Sequence, residues 1–217
     1  MEAETLQTRS ARFTVEDFRL RLEARGHAMA DPVGVEYGDH LLNPDIVQLM
    51  ERAKVREAAV LVPLVDRPDG AGVILTRRTQ KLRKHSGQIA FPGGSIDPED
   101  ASPEAAALRE AREEIALANR FVEPLGRLPR YLTTTGFRIT PVLASVAPGF
   151  SLTANPDEVD DIFEVPLSFL MSEANHQRHS KAFDGVERHF YAMPFGDRYI
   201  WGVTAGIIRT LYERYYA

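Results

Sequence analysis

The sequence predicts an α+β protein, on three observations. Apolar runs of strand length, bounded by turn residues, recur along the chain: 58–65 (AAVLVPLV), 72–76 (GVILT), 137–146 and 186–195. Among them lie segments of helical spacing with explicit start signals, at 14–25, 102–116 and 203–215. The chain has 217 residues, 44% hydrophobic and 26% charged, enough for a domain with a substantial core.

Thr14 caps the first helix, on which Phe18 and Leu22 share a face, and Gly26 ends it. Asn43-Pro44-Asp45 reads as a second start, for a short helix to about Ala53 carrying Ile46, Val47 and Met50. Neither carries obvious chemistry, so 1–54 is expected as an N-terminal helical extension of a domain spanning 55–217. Run 58–65 suits a strand buried on both faces, Arg67-Pro68-Asp69-Gly70 a turn, and 72–76 the returning strand. Gly70-Ala71-Gly72 lacks the third glycine of a dinucleotide fingerprint and precedes a strand, so it reads as a hairpin turn.

Segment 91–117, FPGGSIDPEDASPEAAALREAREEIAL, carries the first chemistry. Pro92-Gly93-Gly94 reads as a tight turn. Ser102 then caps a helix with Pro103 in its first position. At 100° per residue Glu110, Glu113 and Glu114 fall on one face, and Leu108, Ala111 and Ile115 on the other. Carboxylates crowded together repel. A hard divalent ion such as Mg²⁺ relieves that repulsion and keeps coordination sites for phosphate. A solvated acidic face is the plain alternative, but the glycines and Arg109, able to pair with a glutamate, favour a site.

These residues resemble the Nudix box, G-x5-E-x7-R-E-U-x-E-E-x-G-U, with U aliphatic. Gly94, Arg109-Glu110 and Glu113-Glu114 match it. Asp100 stands in place of the first glutamate, eight residues rather than seven separate it from Arg109, and Ala116 replaces the late glycine. The resemblance implies a Nudix-like α/β/α sandwich, a mixed β-sheet between helices. It also implies Mg²⁺- or Mn²⁺-dependent hydrolysis of a nucleoside diphosphate derivative. Glu110, Glu113, Glu114 and the Gly94 carbonyl would be the metal ligands, Arg109 would orient the cluster, and Glu110 or Glu158 would be the general base.

Residues 77–85 (RRTQKLRKH) hold five cations and a histidine directly before the two glycines. A solvated basic loop is the ordinary fate of such a run. Beside an acidic helix it also suits a polyphosphate, since Arg binds phosphate bidentately and Lys supplies a point charge. Leu75-Thr76-x-Arg78, Leu82-Arg83-x-His85-x-Gly87-Gln88 and Phe91-Pro92-Gly93-Gly94 together resemble the signature of the coenzyme A pyrophosphatase branch of Nudix hydrolases. The likeness extends over about 55–210. It implies cleavage of coenzyme A or its derivatives to 3′,5′-ADP and 4′-phosphopantetheine, with Arg78, Arg83, Lys84 and His85 binding the phosphates. The competing readings are a Nudix hydrolase for NADH or ADP-ribose and a non-catalytic Nudix-fold ligand sensor. The intact R-E-x-x-E-E core disfavours the sensor.

Farther on, 122–131 reads as an edge strand broken by Pro124 and Pro129, 133–136 as a turn, and 166–171 as a short helix. His176-x-x-His179 reads as a solvated loop, because no third ligand accompanies it. Tyr191 and Phe195 are core or base-stacking aromatics, and Trp201 a core residue. The absence of cysteine excludes disulfides and thiol catalysis. A formal net charge of -5 argues against nucleic acid or an anionic membrane as partner, and no apolar run reaches the roughly 18 residues of a membrane span. The N-terminus lacks a secretory signal, so a cytoplasmic enzyme of small nucleotides is expected, with homodimer and monomer both open.

Overall fold

The computed structural model describes residues 13–25, 37–46, 55–81, 86–183 and 185–217. The expected helix over 47–53 and three of the expected phosphate-binding residues, Arg83, Lys84 and His85, lie outside them. The elements are α1 (Val15–Ala24), β1 (Tyr37–Gly38), β2 (Arg56–Val65), β3 (Gly72–Arg78), β4 (Ile89–Ala90), β5 (Gly93–Ser95), α2 (Pro103–Ile115), β6 (Val122–Arg127), β7 (Tyr131–Leu132), β8 (Phe137–Val146), β9 (Val159–Pro166), α3 (Leu167–Leu170), β10 (Gln177–Phe183), β11 (Val186–Phe195), β12 (Arg198–Trp201) and α4 (Val203–Tyr215).

Among the described residues nine strands form one mixed sheet with the path β1-β7-β8-β2-β3-β4. Strand β5 joins β2, β6 joins β8 and β9 joins β3. Central β2 runs parallel to β8 and antiparallel to β3 and β5. Both faces of β2 are buried, as its continuous apolar run requires: Val62 and Leu64 point to one core, Ala59, Leu61 and Val65 to the other. Helices α1 and α4 cover the first face with Phe18, Leu22, Ile207, Ile208 and Leu211, and the Phe18 and Tyr215 rings meet edge to face at 5.9 Å. Helix α2 covers the second with Ala106, Ala107, Ala111 and Ile115. Its small alanines let the helix lie close to the sheet. The fold is therefore α+β, helices on both sides of a mixed sheet, as expected.

The expected caps form. Thr14 Oγ1 accepts from the Asp17 amide at 3.0 Å, and Ser102 Oγ from the Ala105 amide at 3.2 Å. Asn43 does different work: its side chain accepts from the His189 amide at 2.7 Å and donates to the His189 carbonyl at 2.9 Å, clasping β11. Only a single 3₁₀ turn, Pro44–Ile46, follows it among the described residues. Residues 93–95 are a strand rather than part of a tight turn, because β2 has an open edge there to pair with. The expected loop at 176–179 is the entry to β10. His176 is buried with Nε2 2.6 Å from the Leu170 carbonyl, while His179 faces the Tyr199 hydroxyl at 2.6 Å. Trp201 is only half-buried, 5.2 Å from the Phe190 ring in the small sheet β10-β11-β12.

Two stability effects follow around α2. Glu104, in its first turn, takes a forked contact from Arg127 of β6, with one bond at 2.7 Å. Those bonds outweigh burial and lower its pKa to about 2. A depressed carboxylate stabilises the fold fully above its unfolded value, and the contribution fades as pH falls through the folded one. Glu104→Gln should therefore cost about 1–2 kcal/mol at pH 7, allowing for solvent screening. In urea titrations the gap from wild type should close as pH falls from 4.5 towards about 2; a gap constant over that window would count against the pair. At the other end of α2, Ala116 takes the left-handed conformation, φ 55° and ψ 24°. A left-handed alanine costs about 1–2 kcal/mol, partly offset in a glycine variant by unfolded-state entropy. Ala116→Gly should raise stability by about 0.5–1 kcal/mol without altering activity. An unchanged denaturation midpoint would mean that the strain is absorbed elsewhere.

Candidate active site

Three pieces of chain meet at the open end of α2. The helix supplies Arg109, Glu110, Glu113 and Glu114. Strand β5 lies beside it because β2 pairs with both β5 and, at its far end, β3. The third piece is the turn before β9. The Asn155 amide donates to the Glu114 carbonyl at 2.8 Å, and the Glu158 and Val159 amides donate back to the Asn155 carbonyl at 3.0 and 2.8 Å. That turn uses the free C-terminal carbonyls of α2 as its dock and brings Glu158 into the cluster.

The three helix carboxylates sit at graded depth, with side-chain exposures of 49% for Glu113, 16% for Glu110 and 3% for Glu114. The helical wheel put the three on one face but not at different depths: β5 and the β3 end roof Glu114 over. Leu108, expected to be buried, is only half-buried. Glu114 accepts from the Gly93 amide at 3.2 Å and lies 3.5 Å from the Arg78 guanidinium. Burial nonetheless raises its pKa to about 7, with Glu110 and Glu158 adding to the rise. Glu110 is raised too, mainly by burial, with Arg109 opposing and Glu113 and Glu158 adding.

Arg109 is the hub. It donates to both oxygens of Asp100 at 3.1 and 2.9 Å, to Glu110 at 3.0 Å, to Glu113 at 3.2 Å and to the Ser95 carbonyl at 3.1 Å. Its pKa rises, chiefly through Asp100, and the Asp100 carboxyl is in turn held below its ordinary value. The aspartate displaced by one residue in the sequence motif therefore orients Arg109 despite its offset. A shorter side chain and one extra residue of loop reach the same guanidinium. Sequence reasoning missed this pairing and that of Asn155 with the helix end. The Asn155-Pro156-Asp157 turn was the available signal.

Gly94 pairs with Ala59 in the β2–β5 ladder. The bonds on either side, Leu61 amide to Pro92 carbonyl and Ile96 amide to Glu57 carbonyl, make Ala59 and Gly94 the mutually bonded pair by alternation. Its carbonyl thus already accepts from β2 and is not released by a turn, leaving one lone pair. The missing side chain matters as much. A Cβ on Gly94 would stand 2.5–2.7 Å from the Glu110 carboxylate.

The cationic segment is tied to the same place. The Arg78 amide donates to the Gln88 carbonyl at 2.9 Å and the Gly87 amide to the Arg78 carbonyl at 3.0 Å, closing the chain on either side of 79–87. The Thr79 amide donates to the Glu158 carbonyl at 2.9 Å.

A model of the NUDIX domain matches residues 55–186. The chain belongs to the Nudix family. A protein of Escherichia coli K12 named as an uncharacterized Nudix hydrolase, NudL, is 42% identical over 171 residues, covering 79% of this chain and 88% of its own. NudL of Shigella boydii serotype 4 matches with the same identity and coverage. Among solved structures, the NUDIX domain of Shewanella oneidensis NrtR, complexed with ADP ribose, superposes with a TM-score of 0.48 and 18% identity, over 81% of this chain and 96% of that one. As a Nudix pyrophosphohydrolase the protein acts on a nucleoside diphosphate derivative, and Nudix hydrolases generally use divalent metal ions.

The residues present suit such an ion. Buried Glu114 has two further carboxylates, Glu110 and Glu158, close enough to oppose its ionisation, so a cation there would offset all three. Among the described residues no three acidic or histidine side chains already converge on one point. Glu110 and Glu113 are turned to Arg109, and Glu114 to Gly93. Rotamer changes would be needed to gather them. Among the described residues no helix is long and apolar enough to cross a membrane.

Proposed function

We propose that the protein hydrolyses the diphosphate of coenzyme A or its derivatives to 3′,5′-ADP and 4′-phosphopantetheine. The observation that carries this reading is the anchoring of the cationic segment. Arg78 stands against Glu114 at 3.5 Å, the Thr79 amide is bonded to the Glu158 carbonyl, and Gly87 and Gln88 are bonded back to Arg78. A phosphate-rich substrate can then meet acids and bases at once.

Glu110, Glu113, Glu114 and the remaining Gly94 lone pair would hold Mg²⁺ or Mn²⁺. When bound, such an ion offsets the diphosphate charge and acidifies the attacking water. Arg109, fixed by Asp100, would keep Glu110 and Glu113 oriented. Glu110 or Glu158 would take the proton of the water; burial, by raising the pKa of Glu110, makes its carboxylate a stronger proton acceptor than an ordinary glutamate. Arg78, Arg83, Lys84 and His85 would bind the phosphates, and the additional 3′-phosphate of coenzyme A gives so many cations a role.

The test is a Mg²⁺-dependent hydrolysis panel of coenzyme A, dephospho-coenzyme A, acyl-coenzyme A, NADH and ADP-ribose. Coenzyme A and its thioesters should lead in kcat/KM. Equal turnover of all five, or a lead for NADH or ADP-ribose, would overturn the assignment.

A further inference from the structure

The small sheet β10-β11-β12 has one face committed to the core and one left open. Met193 of β11 and Ile200 of β12 are buried among the residues that α1 and α4 cover. Side chains alternate across a strand, so their neighbours in the ladder project outwards. On that outer face the register sets Lys181 directly opposite Arg188, Phe183 opposite Val186 and His179 opposite Phe190. Tyr199 and Trp201 of β12 share it, Trp201 across from Ala192. The rings form a connected group. His179 lies 5.9 Å from Tyr199 and 6.3 Å from Phe190, and Phe190 lies 5.2 Å from Trp201. Phe183, Val186 and Tyr199 are exposed large hydrophobic residues. The main sheet separates this face from α2 and its carboxylates.

The cations of the face have no counter-charge. Lys181 and Arg188 make no hydrogen bond or ion pair among the described residues, and the Lys181 ammonium meets only the Phe183 ring, 5.7 Å from its centre. Like charges directly opposite on neighbouring strands repel. The three strands contain a single acid, Glu187. It projects to the other face, where it accepts from the Ser180 hydroxyl at 2.6 Å. The formal net charge of -5 belongs to the chain as a whole, and this face runs against it. A second copy of the chain would bring the same cations to the contact, so charge opposes self-association here. An acidic peptide would answer the cations but not the rings. A strand of nucleic acid answers both, with phosphates for the cations and a flat π-face on every base.

We propose that the outer face of β10-β11-β12 binds single-stranded nucleic acid, with Lys181 and Arg188 on its phosphates and bases stacked on Phe183, Tyr199 and Trp201. Along β10, Phe183 stands at one end and Gln177 at the other, on the rung that leads through Ala192 to Trp201. At roughly 3.4 Å per residue the track is about 20 Å long, enough for a few nucleotides. Stacking and charge are blind to base sequence and to the 2′-hydroxyl, so RNA and DNA strands bind alike. The face takes no part in diphosphate hydrolysis.

Trp201 is the only tryptophan of the chain, so its emission reports on this face directly. The test titrates the full chain, without Mg²⁺, with end-labelled oligothymidylate of about 12 nucleotides and follows Trp201 emission and label anisotropy together. Both signals should saturate at one affinity. The logarithm of the binding constant should fall against that of salt with a slope of about −1.4, the value for two phosphates neutralised on a single strand. The double variant Lys181→Ala, Arg188→Ala should fold as the wild type does, lose most of that slope and bind at least about tenfold more weakly at roughly 50 mM salt. Phe183→Ala should weaken binding at least about fivefold, the loss of one stacked base. Turnover by the hydrolytic site should be unchanged in both, and saturating 3′,5′-ADP should not displace the strand. Absence of saturable binding at low salt, displacement by 3′,5′-ADP, or affinity kept in both variants would overturn the proposal. So would equal quenching of Trp201 by oligoglutamate or by phosphatidylglycerol vesicles, which would make the face a surface for acidic proteins or membranes.

Discussion

Replacing Glu114 by Gln should lower kcat by about 10³-fold, equivalent to about 4 kcal/mol of transition-state stabilisation, and leave the protein folded. The two halves of that expectation have separate causes. Glutamine keeps an oxygen that accepts from the Gly93 amide, as Glu114 does at 3.2 Å, so the contact between α2 and β5 persists. The negative charge is lost, and with it the deepest anchor for a divalent ion. Burial already opposes ionisation of this carboxyl, whose pKa stands at about 7. A group held so unfavourably charged contributes little to stability by itself. Steady-state kinetics with a Mg²⁺ titration, read beside thermal unfolding, checks both halves. Undiminished activity would remove Glu114 from the metal set. A melted variant would mean that its hydrogen bonds, and not its charge, are what the fold uses.

Adjacent glycines should separate fold from function. A Cβ on Gly93 would stand 2.4 Å from the Ala59 carbonyl oxygen and 2.6 Å from the Val60 Cα, both backbone atoms of the central strand β2. Neither can yield without disrupting the ladder, and φ is 156°. Gly93→Ala should therefore cost about 3 kcal/mol or more of stability. The three atoms nearest to a Cβ on Gly94 all belong to the Glu110 carboxylate, at 2.5–2.7 Å. That carboxylate can swing aside, so Gly94→Ala should stay close to wild-type stability and lose activity. Urea denaturation of both variants, with kcat measured on the folded fraction, distinguishes them. Equal stability losses would place the constraint on Gly94 in the backbone and not in the Glu110 carboxylate.

Much of this was legible along the chain. The strand over 137–146 and the helix over 203–215 emerge with the expected boundaries, because long runs of one hydrophobic period leave little competition. The Ser102 and Thr14 caps were legible because a cap is a contact of three residues. Gly93 and Gly94 were misread as part of a turn because glycine signals freedom and not its use. Pairing with β2 turns that freedom into a strand. The 176–179 stretch was misread as loop because an exposed strand in a small sheet carries no buried alternation, although its partner β11 follows it directly in the sequence.

By itself, the sequence determined the α+β class, the family and the chemical inventory: four acids and an arginine in one motif, preceded by a run of cations. These depend on residue type and short spacing. Only the tertiary structure decided depth and partnership. It buried Glu114 while leaving Glu113 exposed, linked Asp100 to Arg109 across an off-register loop, and delivered Glu158 through a turn docked on the end of α2. The physical reason is common to all three. Burial and charge pairing depend on which surfaces the sheet brings together, and a helical wheel or a motif spacing contains no information about the surface opposite.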